Sequence, residues 1–263
     1  MTTDAAALTP HPSTVGGSVE DRAAAEIATA AGQLLLAYRL DAERAGLDPA
    51  EVRGAGDRLS HEFLVAELAR RFPADVVLSE EGADDPARLA ADRVWIVDPL
   101  DGTREFGEFG RTDWAVHVAL VENGLLTAGA VAMPALGTTY STVDVAGPAG
   151  PLPRAPRVVV SRTRRPEPVM AMATALGADL IEMGSAGAKA MAVVRGDADI
   201  YAHSGGQYEW DSAAPVAVAR AAGLHVSRID GSEPIYNQEN PWLPDLLICR
   251  PELAGTALEA LAR

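Results

Sequence analysis

The chain has a single cysteine, Cys249, set in the apolar run Leu246-Leu247-Ile248-Cys249. One thiol excludes an internal disulfide and any cysteine-based metal site, a usage that fits a reducing, cytoplasmic compartment. No uninterrupted apolar stretch reaches the ~18 residues of a membrane helix, so no membrane association is expected. The N-terminus lacks a basic head followed by an apolar core and does not read as a signal peptide. Positive charge is also scarce: 22 basic residues stand against 37 acidic ones, for a formal net charge of −15. That balance excludes a general nucleic-acid surface, which needs a basic face. Lys189 is the only lysine, and most of the arginines read as solvated surface charges.

What is present is a globular chain. Its 263 residues, 48% of them hydrophobic, suffice for one large domain or two subdomains. Residues 1–17 carry Pro, Gly, Ser and Thr and read as a disordered tail. Helical spacing of Ala24, Ile27, Ala28, Ala31, Leu34 and Leu35 predicts a helix from Ser18 to about Arg39, with Ser18 and Asp21 as a capping box. A polar, glycine-rich stretch (Arg53-Gly54-Ala55-Gly56) reads as a mobile loop before a second helix, about Asp57 to Arg71. Strands follow at Val76–Leu78, Val94–Val97, Trp114–Val121 and Leu125–Met133, the last two joined by the hairpin signal Asn123-Gly124, and then at Thr138–Val143. The Pro- and Gly-rich stretch 146–156 reads as a linker. Beyond it, strand and helix patterns alternate to the C-terminus. The expected organisation is an α+β unit over 18–145 and an α/β unit over 157–263.

Acidic residues gather where these elements end. Val94-Trp95-Ile96-Val97 runs directly into Asp98-Pro99-Leu100-Asp101-Gly102-Thr103. Carboxylates are hard oxygen ligands for divalent cations, the Leu100 carbonyl offers a further oxygen, and the Gly102 and Thr103 N–H groups can cradle a phosphate. Glu80 and Glu81 follow another strand. Asp57 and Asp211 sit where helices are expected to begin, so each also has a plain reading as a helix cap. If these acids converge, their repulsion requires bound cations. His117, alternating with Val116 and Val118, reads as structural. Trp95 and Trp114 read as core.

Two motifs carry a family resemblance. Trp95-Ile96-Val97-Asp98-Pro99-Leu100-Asp101-Gly102-Thr103 and Trp210-Asp211-Ser212-Ala213-Ala214, with Ala221-Ala222-Gly223 following, resemble the two signatures of the lithium-sensitive, Mg²⁺-dependent phosphatase superfamily. That superfamily holds inositol monophosphatase, fructose-1,6-bisphosphatase and the 3′(2′),5′-bisphosphate nucleotidases. The resemblance covers roughly residues 20 to 250 and implies a layered α-β-α-β-α sandwich. Thr103-Arg104-Glu105-Phe106 is similar to the CysQ-type nucleotidase subgroup, whose activity removes the 3′-phosphate of adenosine 3′,5′-bisphosphate and often of its sulfated precursor in sulfate assimilation.

The resemblance also implies roles. Glu80, Asp98 and the Leu100 carbonyl would bind one Mg²⁺, and Asp98, Asp101 and Asp211 a second, with a third ion near Glu80. Asp57 and Thr103 would orient and deprotonate the attacking water, with Glu81 behind them. Asp101, Gly102, Thr103, Arg164, Ser185, Lys189 and His203 are the expected substrate contacts. Ser161-Arg162-Thr163-Arg164 departs from the subgroup's Ser-Arg-Ser-His, Ala186-Gly187-Ala188-Lys189 from its Ser-x-x-Lys, and His203 stands where an arginine is usual. Phe106, Tyr208, Tyr236 and Trp242 remain unranked candidates for contact with adenine. A homodimer is common among such proteins. Inositol 1-phosphate or fructose 1,6-bisphosphate remains an alternative substrate, and a non-catalytic, partner-binding protein an alternative of another class.

Overall fold

The computed structural model describes residues 17–262; apart from Gly17, the stretch 1–17 lies outside them. Helix α1 (Val19–Ala45) opens on the expected Ser18/Asp21 capping box and stops at Gly46 in the left-handed conformation. It runs past the expected end at Arg39, whose guanidinium is buried and donates to the carbonyls of Glu105, Phe106, Glu108 and Arg111.

Helix α2 corrects the sequence reading. It spans Pro49–Arg71, capped by Asp48, so the glycine-rich stretch is helical and Asp57 lies mid-helix rather than at a cap. Gly56 marks close packing instead of a turn: a Cβ there would sit 2.7 Å from the Phe106 ring and 3.1 Å from Leu100.

The first sheet has the order β1 (Val76–Ser79), β2 (Arg93–Asp101), β3 (Ala115–Glu122), β4 (Leu125–Met133), β5 (Thr138–Ser141). Only β1 and β2 are parallel. The β3–β4 hairpin turns where expected, with Asn123 and Gly124 both at positive φ. Between β2 and β3 lies a short helix the sequence did not suggest, α3 (Thr103–Gly107).

The second sheet is built from β6 (Arg157–Ser161), β7 (Asp179–Met183), β8 (Ile200–Tyr208), β9 (His225–Ser227) and β10 (Trp242–Cys249), in the order β7-β6-β8-β10-β9. Around it run α4 (Glu167–Ala175), α5 (Ala186–Val194), α6 (Glu209–Ala221) and α7 (Ala254–Leu261). Cys249 is buried, and burial pushes its thiol up to about 12, so it is packing rather than chemistry.

Strand alternation sorts the core into layers. Trp95 and Val97 face α1 and α2, while Val94 and Ile96 face α5 and α6. On the second sheet, Val159, Tyr201, Leu246 and Ile248 face the same middle helices, and Val158, Ile200 and Leu247 face α4 and α7. The result is the five-layered α-β-α-β-α sandwich. No helix among the described residues is long and apolar enough to cross a membrane.

Replacing Gly56 with Ala tests the close-packing account. The helix-propensity gain of about 1 kcal/mol is expected to be outweighed by overpacking against Phe106, for a net loss of about 1–2 kcal/mol in urea unfolding. A variant as stable as the parent would show that the glycine is not required there.

Candidate active site

Continued alternation along β2 turns Asp98 to the middle layer, the face of Val94 and Ile96. There it pairs in register with His117 on β3. The register then breaks between Asp98 and Asp101, and this irregularity turns both acids into one buried space. Asp211 enters from the other side, as the third residue of α6, where its carboxylate accepts the Tyr208 N–H at 2.6 Å. One carboxylate oxygen from each of Asp98, Asp101 and Asp211 lies within 4.8 Å of the others.

Asp101 is the most heavily supported of the three. It accepts hydrogen bonds from the Ser185 hydroxyl and from the Ala186 and Gly187 N–H groups at 3.1 and 2.6 Å, which are the open end of α5. His117 Nε2 lies 3.2 Å away. Burial pushes the Asp101 carboxyl up, but His117, Ser185 and Lys189 more than offset it and hold the group at about 2. The approach depends on glycine: a Cβ at Gly187 would meet His117 Nε2 at 2.1 Å.

The neighbouring acids behave oppositely. Asp98, fully buried beside Glu80 and Asp101, is pushed well above the usual carboxylate range. Glu80 follows β1, and although the residue is partly exposed, desolvation in the cleft and then Asp211 push its carboxyl up to about 7. Asp211 rises to about 6 through burial and Asp101. Asp57 rises to about 6 through burial and Glu81. Asp57 reaches the group from α2: the Thr103 hydroxyl lies 3.4 Å from its Oδ1 and 3.0 Å from the Leu100 carbonyl. Acidic groups that hold protons this far into the neutral range, clustered on hard oxygen donors, are what a cation site looks like without its cation. Asp98, Asp101 and Asp211 therefore form a group that could hold a divalent ion.

The expected substrate contacts divide. Arg164, Lys189 and His203 line a cleft of about 490 Å³ above the acids, together with Gly102 and Thr103. The Lys189 ammonium, however, is buried and donates to the carbonyls of Gly184 and Ser185. Ser185 is a correction. It is buried, its hydroxyl donates to Asp101 and accepts the Ala188 N–H, and it does not line the cleft. Its work is to cap α5 and hold a carboxylate. Gly102 adopts a φ of +85°, and a Cβ there would lie 2.9 Å from that of Ser185.

Three features escaped the sequence reading. His117 is not merely structural: its Nδ1 donates to the Trp210 carbonyl at 3.0 Å while its other nitrogen faces Asp101. It thus ties the two acid-bearing segments together. The signal was its antiparallel pairing with Asp98, which needs the register. Arg162 pairs with Glu105 and Glu108 across the two halves, at 2.7 and 2.6 Å. Arg104 lines the cleft, and among the described residues neither its guanidinium nor that of Arg164 has a hydrogen-bond or ion-pair partner.

A layered fold with a carboxylate cluster between its halves defines a class, and residues 18–262 match the inositol monophosphatase family, to which the chain belongs. Within it, the chain is 50% identical over 248 residues to a Mycobacterium leprae protein named 3′-phosphoadenosine 5′-phosphate phosphatase, covering 89% of this chain and 90% of that one. It is 32% identical over 206 residues to the Escherichia coli 3′(2′),5′-bisphosphate nucleotidase CysQ, covering 72% and 81%. The crystal structure of CysQ from Bacteroides thetaiotaomicron superposes with a TM-score of 0.73 at 29% identity, over 88% of this chain and 96% of that one.

The raised carboxyls set a pH dependence. Their protons are held to higher pH in the folded state than in the unfolded chain. Without a cation, stability is therefore expected to fall as pH rises from about 4 through the folded values of about 6 to 7. A divalent cation should reverse that loss. The rise in Tm on adding one is expected to be larger at pH 8 than at pH 5; an equal or smaller rise at pH 8 would contradict the electrostatic account.

Proposed function

We propose that the chain is a Mg²⁺-dependent phosphomonoesterase that removes the 3′-phosphate of adenosine 3′,5′-bisphosphate, with the sulfated precursor as a related substrate. The observation that carries this reading is the convergence of Asp98, Asp101 and Asp211, with Asp101 and Asp211 on the floor of a cleft whose wall carries two unpartnered guanidinium groups. The names of the relatives at 50% and 32% identity support the same substrate class.

Glu80, Asp98, Asp101, Asp211 and the Leu100 carbonyl would hold the ions. When bound, Mg²⁺ supplies Lewis-acid polarisation of the phosphoryl oxygens and a lowered pKa for coordinated water. The chain's own groups do the rest. Thr103 and Asp57 face each other beside the acids, so the hydroxyl orients a water and the Asp57 carboxylate accepts its proton. With that carboxyl pushed up to about 6, it is ionised yet still basic near neutral pH, as a general base requires. Glu81 raises it through its charge. The Gly102 and Thr103 backbone faces the cleft to receive the scissile phosphate. Arg104 and Arg164 would receive the second phosphate, because an open guanidinium matches phosphate bidentately. No side-chain nucleophile is needed, so no phosphoenzyme forms.

Phosphate release from adenosine 3′,5′-bisphosphate, inositol 1-phosphate and fructose 1,6-bisphosphate, measured with Mg²⁺ side by side, tests the reading. The nucleotide is expected to have the highest kcat/KM, and Li⁺ to inhibit. Asp101→Asn should lower kcat/KM by at least about 10²-fold, the scale of losing several kcal/mol of charge stabilisation, with the melting curve retained. Full activity in that variant would remove Asp101 from the metal site. Preference for a sugar phosphate would overturn the substrate and leave the site.

A further inference from the structure

The cleft has two chemically different ends. One holds the carboxylates and the guanidinium groups. The other is aromatic, lined by Tyr208, Trp210 and Trp242. Among the described residues, Tyr208 and Trp242 are the aromatic side chains left exposed, at 46% and 45%, and both lie here. Phe106 and Tyr236, by contrast, are buried in the core. The two exposed residues are partners across the β8–β10 pairing, so they share one face of the sheet.

Each ring is backed on one side by protein. Tyr208 stacks on Trp210, with centroids 4.7 Å apart and planes 9° from parallel. The Trp242 indole lies against Gly206, where a Cβ would come within 2.5 Å of its Nε1 and where φ is +95°; no side chain fits beneath the indole. Rigid, supported rings with their remaining surface in water are a stacking platform without a guest. Gln207, the neighbour of Tyr208 on β8, pairs with Leu243 and turns to the opposite, core face. Two supported rings match the flat face of a base better than the puckered ring of a sugar or inositol phosphate.

We propose that Tyr208 and Trp242 form the subsite for a purine base, which stacks on their exposed faces. The inference rests on the nucleotidase reading and names what would make the site select a nucleotide. The platform is also mechanically joined to the acids: the Tyr208 N–H is bonded to the Asp211 carboxylate, so base and scissile phosphate are positioned by one turn of chain.

The test compares adenosine 3′,5′-bisphosphate with a base-free analogue, methyl riboside 3,5-bisphosphate, as the ratio of their kcat/KM values. Base-on-aromatic stacking has a typical magnitude of about tenfold or more in affinity per ring. Tyr208→Ser and Trp242→Ser are each expected to lower the ratio by about that factor, through KM of the nucleotide. Tyr208→Phe and Trp242→Phe, which keep a ring, should restore it. A ratio unmoved by the two serine variants overturns the platform even if the parent prefers the nucleotide. If the parent instead shows no preference for the nucleotide over inositol 1-phosphate, the nucleotidase reading itself fails, and that result is visible before any variant is made.

Discussion

Several carboxylates share one desolvated space at the junction of the two sheets, and the rest of the structure is arranged around that repulsion. Asp98, Asp101 and Asp211 come within 4.8 Å of one another, with Glu80 beside them. Left alone, such a group protonates or moves apart. Here, among the described residues, no Lys or Arg forms an ion pair with these acids, and His117 alone lies beside Asp98 and Asp101. One member, Asp101, is held ionised by the end of α5, Ser185 and His117. The others are left with raised proton affinity. A fixed negative anchor surrounded by convertible acids is an arrangement that a divalent cation completes.

The fold makes that arrangement possible by bringing three chain segments to the middle layer. The break in β2 presents Asp98 and Asp101, the first turn of α6 presents Asp211, and α5 aims its open N–H groups at Asp101. His117 bridges the first two segments through its two nitrogens. Arg162 with Glu105 and Glu108 closes the far side of the same junction. Arg39, bonded to four carbonyls of the α3 region, holds the loop that carries Thr103 and Arg104. The site is therefore positioned by contacts between the halves, not by either half alone.

Much of this was legible in the sequence. The hairpin at Asn123-Gly124 follows from turn chemistry, while the layered sandwich and the convergence of acids were what the family resemblance of two motifs implied. What was not legible depends on distance. The stretch with Gly54 and Gly56 read as a mobile loop because glycine signals either a turn or close packing, and at Gly56 only the nearness of Phe106 decides between them. Ser185 read as a substrate contact because sequence cannot show which way a hydroxyl at a helix start is already engaged. His117 read as structural because its meaning depends on pairing with Asp98, and register is a property of two strands.

The net charge of the whole chain works against an anionic substrate, yet the cleft wall inverts it locally. At physiological ionic strength a surface charge is screened over roughly 8 Å, so the net −15 of the chain matters less than what faces the cleft. Most arginines are committed to internal pairs, as Arg88, Arg93, Arg157 and Arg228 are. Arg104 and Arg164 are not, and both open on the cleft. Lys189, the one lysine, is turned onto backbone carbonyls beneath it, where its charge supports Asp101 from within a buried site. With cations at the wall and aromatic rings at the far end, a divalent ion held by Asp98, Asp101 and Asp211 would offset the remaining negative charge at the floor. Without the ions, the floor would repel the same molecule, so metal binding and substrate binding are thermodynamically linked.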